Sequence, residues 1–170
     1  RKAVSELRKL LDEEPQEVDI KLSDTRAEFS VGDIRLTTKL IDGSFPDYKR
    51  VIPVGNDKII SVDADLLSAA VDRVSTIASD KSRAIKLNIS AGQIVLSATN
   101  PDASSATEIL EITYAGEPID IGFNARYLMD ILSQIQGETI AIELADSGSP
   151  SLLRDPEDDA NIFVLMPMRV

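Results

Sequence analysis

The side chains available for chemistry in this chain are carboxylates, hydroxyls and amines, because its 170 residues include neither Cys nor His. Their absence excludes disulfides, thiol nucleophiles, Ser-His-Asp triads and most zinc sites. Carboxylates cluster at Asp155, Glu157, Asp158 and Asp159. A divalent-cation site is one interpretation, but the cluster lacks the spacing and the glycine of an EF-hand loop. A solvated loop is preferred, and we expect neither metal nor cofactor.

Basic residues gather on the first predicted helix, residues 1–12 (RKAVSELRKLLD). Its apolar stripe is Val4, Leu7, Leu10 and Leu11. Its basic residues, on a face about 150° away, are Arg1, Lys2, Arg8 and Lys9. Such a face attracts phosphates, although an ordinary solvated helix has the same pattern. The whole chain carries a net charge of −11, which opposes nucleic-acid binding unless positive charge is locally concentrated.

The last ten residues, NIFVLMPMRV (161–170), are largely apolar. Either they form a buried last strand or they line a binding site. Pro167 cannot donate to a sheet ladder, so strand pairing should stop there. Met166 and Met168 are flexible side chains that suit a surface accepting several partners. We expect both interpretations to hold, with the strand followed by a binding surface.

Hydrophobic residues make up 43% of the chain and aromatic residues only 4%, so the core must consist mainly of Leu, Ile, Val and Ala. No segment reaches the roughly 20 apolar residues of a membrane span, and no signal peptide opens the chain. These features favour a cytoplasmic protein with no membrane contact.

The predicted elements repeat. Helices begin near residues 1, 63 and 124, about 61 residues apart, and each is followed by three strands. Helix 63–78 and helix 124–136 also follow a strand, which makes the unit strand–helix–three strands. The predicted strands are 17–22, 25–31, 34–41, 58–62, 84–90, 93–99, 106–114, 118–123, 139–144, 151–155 and 161–167.

Turn and cap residues mark the limits of these elements. Asn124 is a predicted N-cap and Gly137 a predicted C′ residue of the third helix. The apolar stripe of that helix is Tyr127, Leu128, Ile131, Leu132 and Ile135. Tight hairpins are predicted at Ser23-Asp24, Gly32-Asp33 and Ala91-Gly92.

The repeat divides the chain into residues 1–44, a linker at 45–57, and residues 58–170. The second and third copies join through the short turn at Gly116-Glu117, so we expect them to share one core. The first copy has no leading strand and the chain begins with Arg1. We therefore expect a chain trimmed at its N-terminus, with half a domain followed by a complete one.

Three segments, FPDYKRVIP (45–53), FNARYLMDIL (123–132) and VLMPMRV (164–170), jointly resemble the bacterial DNA polymerase III beta subunit family, the sliding clamps. The resemblance runs over essentially the whole chain. It implies an α+β DNA-clamp fold with antiparallel sheets outside and helices inside, and a ring that encircles duplex DNA. The implied function is that of a replication processivity factor without catalytic activity. Residues 1–44 would be the second half of the middle domain and 58–170 the C-terminal domain.

The resemblance also implies three sites. The first is a hydrophobic pocket for short linear motifs, formed by Pro46, Arg50, Val51, Val164, Leu165, Met166, Pro167, Met168 and Arg169. The second is the DNA-facing surface, formed by Arg1, Lys2, Arg8, Lys9, Arg73 and Arg126. The third is the dimer contact, formed by Thr76, Ile77 and Glu108. Thr76 stands where relatives often have a bulky apolar residue, which would weaken that contact, and Ile77 also fits a core position.

The implied partners are double-stranded DNA, the DNA polymerase III alpha subunit, the clamp loader, repair polymerases and a second copy of the subunit. One alternative is a peptide-binding adaptor of the same fold with no DNA role. Another is a hydrolase that uses Asp and Glu as acid and base. The second alternative is weak because no acidic pair shares a helix face within an apolar pocket.

Overall fold

The computed structural model describes residues 2–11, 17–43, 47–78, 83–102 and 104–169, with only the backbone of Asp159. The chain divides into two compact units, residues 1–46 and 47–170. None of the described helices is both long enough and apolar enough to cross a bilayer.

Unit 1 is a helix on a three-stranded antiparallel sheet. Helix α1 (Lys2–Leu11) packs on β2 (Arg26–Val31) and β3 (Ile34–Lys39), and β1 (Asp19–Leu22) pairs with the other side of β2. Only Ala27 and Val31 are buried among the described hydrophobic residues of this unit. The predicted apolar stripe of α1 is only partly covered, since its three leucines are half-buried and Val4 is 70% exposed.

The described part of unit 2 contains a short 3-10 helix (Tyr48–Arg50), two α-helices and eight strands. The strands form two antiparallel sheets, ordered β11-β10-β9-β4 and β7-β6-β5-β8. Its elements are β4 (Lys58–Asp63), α2 (Ala64–Ser75), β5 (Ala84–Ser90), β6 (Gln93–Thr99), β7 (Ser105–Glu111), β8 (Ile119–Asn124), α3 (Ala125–Leu132), β9 (Thr139–Leu144), β10 (Ser151–Asp155) and β11 (Asp158–Leu165).

The two copies of the repeat exchange their first strands. Strand β4 of the first copy pairs with β9 of the second, and β8 of the second pairs with β5 of the first. Isolated bridges close the arrangement at two corresponding places, Ser61 with Thr113 and Gly122 with Met168. The predicted strand–helix–three-strand unit is therefore confirmed, and its two copies form one interlocked domain.

A single apolar core joins both sheets to both helices of unit 2. Leu67 and Val71 of α2 and Leu128 of α3 are almost completely buried in it. The helices pack against each other, and Ser68 donates a hydrogen bond to the sulfur of Met129 at 3.8 Å. Because α2 and α3 are in contact, they do not lie on opposite sides of the sheets.

The helix boundaries follow their caps. The carboxylate of Asp63 accepts from the N–H of Leu66, and the side chain of Asn124 accepts from the N–H groups of Arg126 and Tyr127, as expected of N-caps. Both helices end earlier than predicted, at Ser75 and Leu132, where the last N–H groups turn back to carbonyls three residues earlier.

Two predictions for the third helix were wrong. Tyr127 is 58% exposed and does not belong to the buried stripe, because α3 buries the narrower set Ala125, Leu128, Ile131 and Leu132. Gly137 is not the C′ residue, because α3 ends five positions earlier and because the φ angle of Gly137 is not positive. A Cβ on Gly137 would lie 2.6 Å from a carboxylate oxygen of Asp155, so close packing is what requires glycine there.

Two predicted strands change sheets at their ends. Strand β7 stops at Glu111, short of residue 114, because Thr113 leaves its sheet to bridge Ser61. Strand β11 begins earlier than predicted and stops at Leu165, and Met168 then bridges Gly122 in the other sheet. The predicted hairpin at Ala91-Gly92 is present, with φ of 77° at Gly92.

Candidate functional site

The linker and the C-terminal tail are joined to strands at the same end of one sheet. Strand β4 begins there, after the linker, and β11 ends there, before the tail. These two strands are the opposite edges of the sheet, separated by three strand spacings, or roughly 14 Å. A cleft between linker and tail would therefore have this sheet end as its base.

Asn56 holds the linker across that end of the sheet. Its side-chain amide donates to the carbonyls of Glu143, in β9, and Pro150, which precedes β10, at 2.8 and 3.1 Å. Lys58 adds a hydrogen bond from its ammonium group to the carbonyl of Ala145 at 2.8 Å. These hydrogen bonds therefore hold the linker against the ends of β9 and β10, and β10 is the strand next to β11.

The sheet face opposite the core carries a row of four side chains near this end, three of which are apolar. Ile59 lies opposite Glu143, Glu143 opposite Leu152, and Leu152 opposite Val164. Leu152 is only 1% exposed although it is not part of the hydrophobic core, whereas its neighbour Leu153 is. Sequence reasoning missed Leu152. The available signal was the pair of consecutive leucines. Successive side chains of a strand point to opposite faces, so two adjacent apolar residues indicate that both faces of the strand are covered.

The predicted pocket residues of the C-terminus divide between core and surface. Leu165 is 5% exposed and belongs to the core. Val164, Pro167 and Met168 are half-buried. Met166 is 56% exposed, and Arg169 is also exposed. Leu165 is therefore the only one of these six residues that belongs to the core.

Backbone geometry fixes the tail after its strand has ended. The N–H of Met168 donates to the carbonyl of Gly122 at 2.8 Å, whereas Pro167 has no N–H to donate. The tail is therefore anchored to β8 while its methionine side chains remain at least partly accessible.

The predicted pocket residues of the linker are accessible. Val51 is 48% exposed, and the Arg50 guanidinium forms an exposed ion pair with Asp47 at 3.1 Å. The 3-10 helix places both residues just before the segment that Asn56 holds. Pro46 lies outside the described residues.

The predicted DNA-facing residues lie on three helices. Lys2, Arg8 and Lys9 of α1 are exposed, and Lys9 is paired with Glu6 at 3.1 Å. Arg126 is exposed at the start of α3. Arg1 lies outside the described residues.

Arg73 differs from the other predicted DNA-facing residues because it is paired. Its guanidinium donates two hydrogen bonds to Glu108 of β7, one of them at 2.9 Å. This contact holds the pKa of the Glu108 carboxyl below its usual range and raises the pKa of Arg73. The structure therefore brings together a residue predicted to face DNA and one predicted to lie in the dimer contact.

The remaining predicted dimer residues lie beside that ion pair. Thr76 is exposed at the C-cap of α2, where its hydroxyl donates to the carbonyl of Arg73 at 2.8 Å, and Ile77 is half-buried. Strand β7, which carries Glu108, is an edge strand of its sheet, and Ile109 on it is 62% exposed.

The acidic cluster is used to shape turns. The buried carboxylate of Asp155 accepts from the N–H groups of Gln136, Gly137 and Glu157 at 2.9–3.0 Å. These hydrogen bonds, that from Gly137 first, hold the pKa of Asp155 below its usual range. Asp158 accepts from the N–H of Ala160 at 2.9 Å. Among residues whose side chains are described, no three carboxylates are placed to hold a metal ion.

Family models match nearly the whole chain in two parts. Residues 1–47 match the central domain of the DNA polymerase III beta subunit, and residues 49–169 match its C-terminal domain. The change from one model to the other falls within two residues of the division between the two compact units.

Individual relatives agree with these family models. The beta sliding clamp of Caulobacter vibrioides is 47% identical over all 170 residues, and that of Escherichia coli strain K12 is 39% identical over 172 aligned positions. In both cases the chain spans 46% of the relative's length.

Solved structures show the same similarity. A DnaN sliding clamp from Bartonella birtlesii, crystallised bound to griselimycin, is 50% identical with a TM-score of 0.90, over 99% of this chain and 46% of that one. A Caulobacter crescentus beta sliding clamp is 47% identical with a TM-score of 0.91, over 99% of this chain and 45% of that one. The fold is therefore the α+β clamp fold, and the chain belongs to the DNA polymerase III beta subunit family, the beta sliding clamps.

Proposed function

We propose that these residues are the C-terminal part of a subunit that closes, with a second copy, into a ring around duplex DNA. The ring would act as a processivity factor that tethers a DNA polymerase without catalysing a reaction. The observation that carries this proposal is the continuous family match, first to a central and then to a C-terminal clamp domain. Since the chain spans about half of its relatives' length, the ring itself is a property of the longer protein.

The physical basis of this function is topological. A closed ring needs only weak contacts with DNA, because it leaves the duplex only by opening or by reaching an end. The acidic net charge of −11 is compatible with that arrangement if the positive side chains face the hole, as proposed for Lys2, Arg8, Lys9 and Arg126. Arg73 would contribute less because Glu108 neutralises it.

We propose a docking site for linear motifs at the cleft between linker and tail. Arg50 and Val51 would form one wall and Val164 the apolar floor, with the buried Leu152 beside it in the sheet. The other wall would be Met166, Pro167, Met168 and Arg169. Leu165 would support that floor from the core side. Flexible methionines allow the same surface to receive several partners in turn. The proposed partners are the polymerase alpha subunit, the clamp loader and repair polymerases.

We propose that the edge strand β7 and the end of α2 form the contact with the second subunit. Thr76 and Ile77 closely follow Arg73, whose side chain binds Glu108 on that edge. The exposed Ile109 adds apolar surface. Edge strands offer unpaired backbone groups for such a contact. The Arg73–Glu108 ion pair would hold β7 against the end of α2 before the subunits associate.

The test of ring function uses the full-length subunit. After loading by its clamp loader onto nicked circular plasmid, the ring should elute with the DNA in gel filtration. Cutting the plasmid once with a restriction enzyme should release it, because a linear duplex has ends. Retention on linear DNA would contradict the topological mechanism. Failure to stay on circular DNA, with intact binding of polymerase peptides, would favour the second candidate.

That second candidate is an adaptor of the same fold that binds peptides without encircling DNA. The acidic net charge and the weak basic character of α2 and α3 favour it. The plasmid experiment separates the two candidates, because only the ring depends on DNA topology.

A further inference from the structure

The internal repeat of unit 2 creates two corresponding grooves along the α2–α3 pair. Within the two helices, positions 61 apart correspond, since Asp63 and Asn124 cap them. The N–H of Ala64 donates to the carbonyl of Glu138 at 3.0 Å, and the N–H of Ala125 donates to the carbonyl of Arg83 at 2.8 Å. After the helices the correspondence shifts, because β5 begins at Ala84 and β9 at Thr139, 55 residues apart. Arg83 and Glu138, which directly precede these strands, are therefore equivalent residues in the two copies.

Each groove lies between the end of one helix and the start of the other. The arginine groove is lined by the end of α2, Arg83 and the start of α3, and the charged residues among its described lining are Asp72, Arg83 and Arg126. The acidic groove is lined by the end of α3, Glu138 and the start of α2, and its charged residues are Asp65 and Glu138.

The two grooves lie at corresponding places in the repeat, but the net charge of their described lining residues differs in sign. Arg126 corresponds to Asp65, and Arg83 corresponds to Glu138. Both arginines are exposed, and neither forms an ion pair within the described part of the chain. Arg73, by contrast, is held by Glu108.

The backbone of Arg83 supports a role for its side chain. Its φ of 46° lies in the left-handed region, which glycine and asparagine adopt at lower cost. The Ala125 N–H needs only a carbonyl at this position, so the hydrogen bond does not explain why the residue is an arginine.

We propose, on the basis of the proposed ring function, that duplex DNA contacts this domain through the arginine groove and avoids the acidic groove. Guanidinium groups match phosphate geometry, and a duplex presents about one negative charge per 1.7 Å of axis. The acidic groove repels the same phosphates. The duplex is therefore biased toward one half of the domain, although the fold of the two halves is equivalent.

A pair of matched cross-linking probes tests this bias. Tyr127 and Leu66 correspond in the repeat, follow Arg126 and Asp65 directly, and are 58% and 57% exposed. Each is replaced in turn by p-benzoylphenylalanine in the full-length ring, which is loaded on nicked circular plasmid and irradiated. We expect at least about threefold more DNA cross-linking from position 127 than from position 66, because the local charge differs in sign. Equal yields, or more from position 66, would overturn the proposal.

A charge exchange between the grooves provides the second arm. The quadruple variant Arg83→Glu, Arg126→Asp, Asp65→Arg and Glu138→Arg keeps the net charge and should reverse the cross-linking preference. Circular dichroism and the melting temperature establish that the variant is folded, and the comparison of the two probes in the native background does not depend on it. A folded variant that keeps the original preference contradicts the proposal.

The outcomes separate this inference from the function on which it rests. If the native ring stays on circular plasmid but the two probes cross-link equally, only the groove assignment fails. If the ring is not retained at all, the ring function fails and the groove assignment fails with it.

Discussion

At the scale of single residues, Met168 has separate backbone and side-chain roles. Its N–H donates to the carbonyl of Gly122, which anchors the tail. Its half-buried side chain takes no part in that hydrogen bond. Deleting the last residues would remove both. Substituting the side chain alone is therefore the cleaner test of the proposed docking site.

We expect Met168→Ala in the full-length protein to weaken binding of a polymerase-derived peptide about tenfold, as for the loss of a well-packed contact residue. Isothermal titration calorimetry measures the affinity, and the melting temperature should stay close to that of the native protein. Leu66→Ala, a change of an exposed side chain on α2, is the matched control and should bind normally. Unchanged affinity of Met168→Ala would remove this residue from the site.

Asp155 is a buried carboxylate whose protonation state affects the local fold. Three N–H groups, from the α3–β9 connection and the β10–β11 turn, converge on its carboxylate and lower its pKa. The folded state therefore prefers the ionised form more than the unfolded chain does. Its contribution to stability is fully present above the ordinary aspartate pKa of about 3.9 and is lost as the pH falls through the lower folded value.

Asp155→Asn should lower the free energy of unfolding at pH 7, because one carboxylate oxygen becomes an amide that cannot accept from an N–H. It should also reduce the loss of stability between pH 7 and pH 3. Urea unfolding at the two pH values measures both effects. Asp130→Asn, at an exposed position of α3, serves as the control. A variant with the native pH dependence would contradict the role of Asp155.

At the scale of elements, α3 depends strongly on its cap because it has only eight residues. The side chain of Asn124 accepts from the N–H groups of Arg126 and Tyr127 at 3.0 and 3.4 Å. Few other backbone groups of so short a helix are satisfied internally. The cap also fixes the direction in which the chain leaves β8.

We expect Asn124→Ala to lower the free energy of unfolding by about 1 kcal/mol, within the usual range of about 0.5–2 kcal/mol for a lost N-cap. Chemical denaturation followed by circular dichroism measures the change. Asn124→Asp retains an acceptor and should recover most of the stability. Equal destabilisation by both substitutions would show that the cap hydrogen bonds are not the cause.

At the scale of the whole molecule, the two units differ greatly in their cores. Unit 2 buries one apolar cluster drawn from both sheets and both helices. In the described part of unit 1 only Ala27 and Val31 are buried hydrophobic residues, and α1 has none. A unit that buries so little apolar surface is marginal by itself.

Hydrogen exchange of the 170-residue chain should therefore be uneven. We expect amides of β2 and β3 to exchange at least about 100-fold faster than those of β5 and β6, because local stability follows the buried apolar contacts. Mass spectrometry of peptides from the two units measures the difference in one sample. Similar protection in both units would contradict the ranking of the cores.

Local sequence was sufficient to predict much of this protein. Alternation of apolar residues predicted the strands, the 3.6-residue period predicted the helices, and Asn124 was identified as a cap because capping involves only the next few residues. The spacing of about 61 residues indicated the repeated unit. The three quoted segments were sufficient to indicate the family, which the comparisons then confirmed.

Only the tertiary structure decided which elements lie side by side. The exchange of β4 and β8 between copies, the ion pair of Arg73 with Glu108, and the burial of Leu152 on the outer face of its sheet all depend on contacts between residues distant in sequence. Periodicity states which face of a strand or helix is buried, but it carries no information about what covers that face. The two grooves of opposite charge likewise exist only because the fold superimposes two sequences that have diverged.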